Sequence, residues 1–160
     1  MPLVPTALAS AMEAMTPTDQ EAIAIQNFAG AWETYFKDAA TMGVPTTPGS
    51  LAGAKSAMIG AMSGLSTAGA TAILAGITAF WGVVAGASAS IWPGTLSAVP
   101  PPGLAGIPAA LVPVFAANTA GNLAIDPAMQ AIAGAIHPTQ LGGIANWPPI
   151  PGGPGPQPIL

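Results

Sequence analysis

The 160-residue chain has no cysteine and no arginine, and only two lysines and one histidine. Without cysteine, a disulfide framework and any thiolate metal centre are excluded. With Lys37 and Lys55 as its only cations, the chain cannot neutralise a run of phosphates, so nucleic acid is not expected as a partner. Charged residues make up 5% of the chain, whereas an ordinary soluble domain carries roughly a quarter. The six acids leave a formal net charge of −4. This scarcity does not read as disorder, because disordered chains are polar and this one is 51% hydrophobic. No glycine-rich run leads into a helix with a lysine, so no phosphate cradle is present, and no cofactor is expected. The histidine and the few acids do not suffice for a dedicated metal site.

What is present is unevenly spread. Apart from Asp126, every charged residue lies at or before Lys55, and none occurs from Ser56 to Ile125. A free domain of this size needs a charged skin. This chain has one only near its N-terminus, so the rest of its surface calls for a cover. Glycine (20) and proline (19) supply rigid turns throughout.

The pattern predicts an all-α protein: a small helical bundle with long Pro/Gly-rich ordered loops and an extended C-terminal arm. Residues 6–15 form a short Ala/Met-rich helix. No basic region precedes it, so a secretory leader is not expected. The clearest helix spans 16–42, with Thr16 as N-cap and Pro17 at its first position. Thr18 and Glu21 offer an alternative capping box. Ile25, Phe28, Trp32 and Phe36 form its apolar stripe, with Tyr35 beside it and Glu33–Lys37 as an i,i+4 pair. Phe28, Trp32 and Phe36 are the expected core.

A second helix, capped by Ser50, covers 51–64 and carries Leu51, Ala54, Met58, Ala61 and Met62. After a break at 65–67, residues 68–90 are apolar all round, which fits a buried helix or a membrane helix. Gly60/Gly64 and Gly82/Gly86 have the spacing that lets helices approach closely. Residues 104–124 read as one kinked helix or two short ones, because of Pro108 and Pro113. Asp126-Pro127 starts a helix over 127–136 with Met129, Ile132 and Ile136 inward, and His137-Pro138 ends it. No strand pattern is evident. The organisation is a helical domain, 1–137, followed by a Pro/Gly-rich docking arm, 138–160.

Catalytic constellations are weak. His137 lacks a nucleophile and an orienting acid, and reads as a cation at a helix C-terminus. Glu33 and Asp38 sit on different helix faces and read as solvated surface. An enzyme is not expected. The arm is more informative: its prolines remove backbone donors, so neither helix nor central strand is open to it. It nevertheless carries Trp147, Ile150, Ile159 and Leu160, the expected anchors on a neighbouring subunit.

Residues 68–90 are long enough to span a bilayer. They are Ala/Gly-heavy, however, and lack basic flanks. A small integral membrane protein with a helix there is the alternative to an assembly subunit.

The stretches Phe-Ala-Gly-Ala-Trp-Glu-Thr-Tyr-Phe (28–36), Thr-Pro-Gly-Ser-Leu-Ala-Gly-Ala-Lys (47–55) and Gly-Ile-Thr-Ala-Phe-Trp-Gly-Val-Val-Ala (76–85) resemble those of small virion proteins of tailed bacteriophages, of the contractile tail or baseplate type. The resemblance implies a structural role in a virion, with other virion subunits and copies of the chain as partners. It carries over no site residue.

Overall fold

Phe28, Trp32 and Phe36 recur every fourth residue, and a helix with that spacing must bury one face. The computed structural model describes residues 5–15, 18–39, 48–91, 97–119, 125–140, 144–146 and 157–158. These form α1 (Pro5–Glu13), α2 (Glu21–Ala39), α3 (Pro48–Ala61), α4 (Leu65–Ala68), α5 (Ala70–Ile91), α6 (Ile107–Thr119) and α7 (Ile125–Gln140). A 3₁₀ turn, Pro102–Gly106, leads into α6. The fold is all-α.

All three stripe residues of α2 are buried, together with Ile25 and Tyr35. They meet α5 through aromatic edges. Phe36 lies 5.1 Å from Phe80 and 5.2 Å from Trp81, ring centre to ring centre, in T-shaped contacts. Trp32 packs edge-on to Phe80 at 6.3 Å and tilted on Tyr35 at 5.3 Å. Such pairs add about 0.5–1.5 kcal/mol beyond the area they bury.

α5 is the hub, in contact with α3, α4, α6 and the 3₁₀ turn. Its large side chains Ile73, Ile77, Phe80, Trp81 and Val84 all point inward. Against α3 the close approach is made by Gly76, where any side chain would overlap Met62 and Met58. The two spaced glycine pairs of the sequence do not serve this purpose. Gly60, Gly82 and Gly86 face open space. Gly64 instead turns the chain at φ 81°, a conformation glycine adopts without strain.

Several helix ends differ from the sequence reading. α2 starts at Glu21; Thr16 and Pro17 lie outside the described residues. The Thr18 hydroxyl accepts the Gln20 N–H at 3.1 Å, and the Gln20 carbonyl accepts the first helical bond from Ala24. The capping box does not form, because Glu21 is engaged elsewhere. Glu33 pairs not with Lys37 but with Lys55 of α3, at 3.1 Å. α3 begins at Pro48, ahead of the expected cap Ser50. α6 is a single helix with Pro113 inside it.

α7 does not end at His137-Pro138. It runs through Pro138 to Gln140, so the helical body extends past residue 137. Pro138 removes one backbone donor, and the last turn is held from outside the ladder. Gln140 is fully buried; its Oε1 accepts the Trp81 indole N–H at 3.0 Å, and its Nε2 donates to the Thr139 hydroxyl at 2.9 Å. The same turn abuts Gly103, where a Cβ would lie 2.8 Å from the Thr139 carbonyl oxygen. Only glycine fits there.

A minor sheet, not evident from the sequence, joins β1 (Ser97–Val99), β2 (Ile144–Asn146) and β3 (Gln157–Pro158) in that order. Ala98 opposes Ala145, and Ile144 opposes Pro158, both antiparallel. Pro158 occupies an edge strand, where its missing donor costs no ladder bond. This part of the arm thus returns to its own chain.

Among the described residues, the Trp32 indole N–H is buried without a hydrogen-bond partner. Trp32→Ala is expected to cost about 3–5 kcal/mol. Trp32→Phe should cost distinctly less, since it keeps a ring and removes the unpartnered donor. Gln140→Leu strands the Trp81 donor and should cost about 1–3 kcal/mol. Urea unfolding of the three variants tests these values; equal losses for the two Trp32 variants would contradict the packing argument.

Candidate functional site

α1, α2, α5, α6 and α7 converge without filling the space between them. They leave an apolar cleft of about 390 Å³, a size that suits a recognition site. Met12 and Met15 come from α1, Ala24 and Phe28 from α2, Ile73 from α5, Phe115 from α6, and Met129 and Ile132 from α7; Leu65, Ser66 and Gly69 close one side. Three methionines give the walls flexible, polarisable side chains that can refit to different shapes.

The closing side is α4, four residues between Gly64 (φ 81°) and Gly69 (φ 42°). A helix this short does not stand alone. Glu21 holds it from α2. Its carboxylate accepts the Gly64 N–H at 2.9 Å, the Ser66 N–H at 3.3 Å and the Ser66 hydroxyl. A cap that α4 lacks in its own sequence is therefore supplied across the fold. The Ser66 hydroxyl foremost, then the backbone N–H of Gly64, hold the Glu21 carboxyl below the usual carboxylate range. Across the cleft, Glu13 accepts a hydrogen bond from the Gln130 amide at 3.0 Å, tying α1 to α7.

A second polar feature joins α2 to α7. The chain's only tyrosine and only histidine are bonded to each other, Tyr35 Oη to His137 Nδ1 at 2.9 Å. Burial pushes the Tyr35 hydroxyl well above its ordinary range and the His137 ring below 6.5. His137 does lie in the last turn of α7. Its bond to Tyr35 adds a role the sequence does not show, a tie between α7 and α2, and desolvation favours its neutral form. A polar groove of about 660 Å³ adjoins the cleft at Met15 and runs past Gln26, Thr34 and the Glu33–Lys55 pair.

Of the residues singled out by sequence, Phe28 lines the cleft, while Trp32 and Phe36 lie in the aromatic cluster. Ile132 and Ile136 are buried, and Met129 sits half-buried at the cleft. Trp147, Ile150, Ile159 and Leu160 lie outside the described residues. Sequence reasoning missed the cleft and the roles of Glu21 and Tyr35. The concentration of methionine near the N-terminus was the available signal for the first; neither polar tie has a local signature.

The pH dependence follows from the signs. A histidine whose folded pKa lies below 6.5 leaves the unfolded chain binding more protons in acid. Its contribution to stability is complete above pH 6.5 and is lost as pH falls through the folded value. Glu21 is lost only below its ordinary 4.5, so the two windows separate. Melting temperature is expected to fall between neutral pH and about pH 5, and His137→Phe should flatten that decline. A wild-type melting temperature unchanged over this range would contradict the burial of His137.

No family model, curated protein or solved structure matches the chain.

Proposed function

We propose that the protein is a structural subunit of a large assembly, a tailed-phage virion, in its tail or baseplate region, and that it acts through apolar contacts with other virion subunits and with copies of itself. One observation carries this reading: the helical body spends its large apolar side chains on its own core, yet the surface that residues 56–125 leave over carries no charge. Along α5, up to residue 87, the exposed positions are Thr71, Ala75, Thr78, Gly82 and Gly86, and α6 exposes Val112 at 61%. No residue from Ser56 to Ile125 can give this surface a charge. Small neutral side chains lose little entropy when covered, and they leave no charge to desolvate. Such a surface suits permanent burial against protein.

The alternative is a membrane subunit. Among the described residues, α5 has one window, Ala70–Ala87, long and apolar enough to cross a membrane, with mean hydropathy 1.7 and 44% of it buried in the protein. Its outward positions are small and include two threonines, whereas a lipid-facing side gains most from large apolar residues. The bulky residues of α5 face its own protein, which favours the assembly reading.

Deleting residues 146–160 removes the proposed anchors Trp147, Ile150, Ile159 and Leu160 together with β3 and the end of β2, and leaves α1 to α7 in place. The truncated chain is expected to keep its helical circular dichroism and to be lost from purified particles. Wild-type incorporation of the truncated chain would overturn the arm's role. Carbonate-resistant flotation of the full chain with liposomes would favour the membrane alternative.

A further inference from the structure

The apolar cleft is not isolated on the surface. The two large hydrophobic side chains exposed among the described residues both belong to helices that wall it. Ile23, 39% exposed, adjoins the lining residue Ala24, and Val112 stands one turn before the lining residue Phe115. Apolar surface thus continues past the cleft along α6, where Val112 and Phe115 share a face, while Ile23 lies on another face of α2.

The charges beside the cleft that no lysine balances are acidic. Glu13 follows the lining residue Met12 and is bonded to Gln130, next to Met129. Glu21 is bonded to the lining residue Ser66. Asp126 is exposed in the first turn of α7, three residues before Met129. No lysine lines the cleft; Lys55 lies in the polar groove that adjoins it at Met15, where Glu33 offsets its charge. A second copy of the chain would bring another acidic rim, with no arginine and two lysines in its whole length. Like charges facing each other at a contact disfavour it, and opposite charges select the partner and speed encounter.

We propose that the methionine-lined cleft receives an apolar segment of a different protein, its large side chains flanked by lysine or arginine. The methionines adapt to the inserted side chain. The carboxylates of Glu13, Glu21 and Asp126 meet the flanking cations at the rim. This partner chemistry rests on the reading that the chain works through apolar subunit contacts.

The test uses the full chain and two synthetic peptides sharing one Leu-Ile-Leu core, one flanked by lysines and the other by glutamates. Fluorescence anisotropy should show the lysine peptide binding about tenfold or more tightly at low salt, a preference that shrinks near 0.5 M salt as rim charges are screened. Ala24→Phe, which fills the cleft from its wall, should abolish binding. Glu13→Gln combined with Asp126→Asn should reduce the preference while leaving residual apolar binding. Circular dichroism of each variant separates lost binding from lost fold, and Met129→Trp fills the cleft from the opposite helix if Ala24→Phe unfolds. Equal affinity for both peptides, no binding of either, or unchanged binding by a folded, filled variant would overturn the proposal. So would self-association in sedimentation that Ala24→Phe abolishes, since the occupant would then be a second copy. Because the peptides report on the isolated chain, their result stands apart from whether the chain is found in particles.

Discussion

The contact on which the structure turns is the crossing of α2 and α5, where Phe36 meets the edges of Phe80 and Trp81 and Trp32 meets Phe80. Two aromatic residues of this cluster also reach α7. Trp81 passes the order on to α7 through the buried Gln140 side chain, and Tyr35, beside Trp32, reaches α7 through His137. One turn before Phe80, Gly76 admits Met58 of α3 and Met62 just beyond it. Rigid aromatic side chains supply large burial at low entropic cost. A chain with this much alanine and glycine otherwise has few groups able to define a unique packing.

The sparse charges serve a similar end. Glu21 caps α4, Glu33 joins α2 to α3 through Lys55, and Glu13 joins α1 to α7 through Gln130. Both partners of the Glu33–Lys55 pair are about a third exposed, so its net worth is within about 1 kcal/mol. Its value is positional: it selects one arrangement of two helices. Charges that make such ties do little to solubilise the remaining surface. Here the stability of the fold and the proposed need for a covering partner have the same origin, a composition with almost no charge to spare.

The cleft follows from the same geometry. α4 is a short interruption between α3 and α5, bounded by two glycines at positive φ, and it turns the chain before α5 begins. The turn leaves α1, α6 and α7 surrounding a space that side chains line but do not fill. Clefts of this size and apolar lining are the usual shape of recognition sites.

By itself the sequence determined the helical class, the aromatic stripe of α2, the inward methionines of α3 and the separation of charged and uncharged halves. All of these are local or compositional. Periodicity sets which face of a helix is apolar, and burial follows from that. What only the tertiary structure decided are the pairings between distant residues: Glu21 with α4 rather than its own helix end, Glu33 with Lys55 rather than Lys37, and Tyr35 with His137. The continuation of α7 through Pro138 belongs with them. Local rules stop a helix at proline, yet the Gln140 bond to Trp81 and the fit of Gly103 against Thr139 supply what the missing donor takes away. A side chain's partner depends on which helices the core brings together, and spacing along the chain carries no record of that.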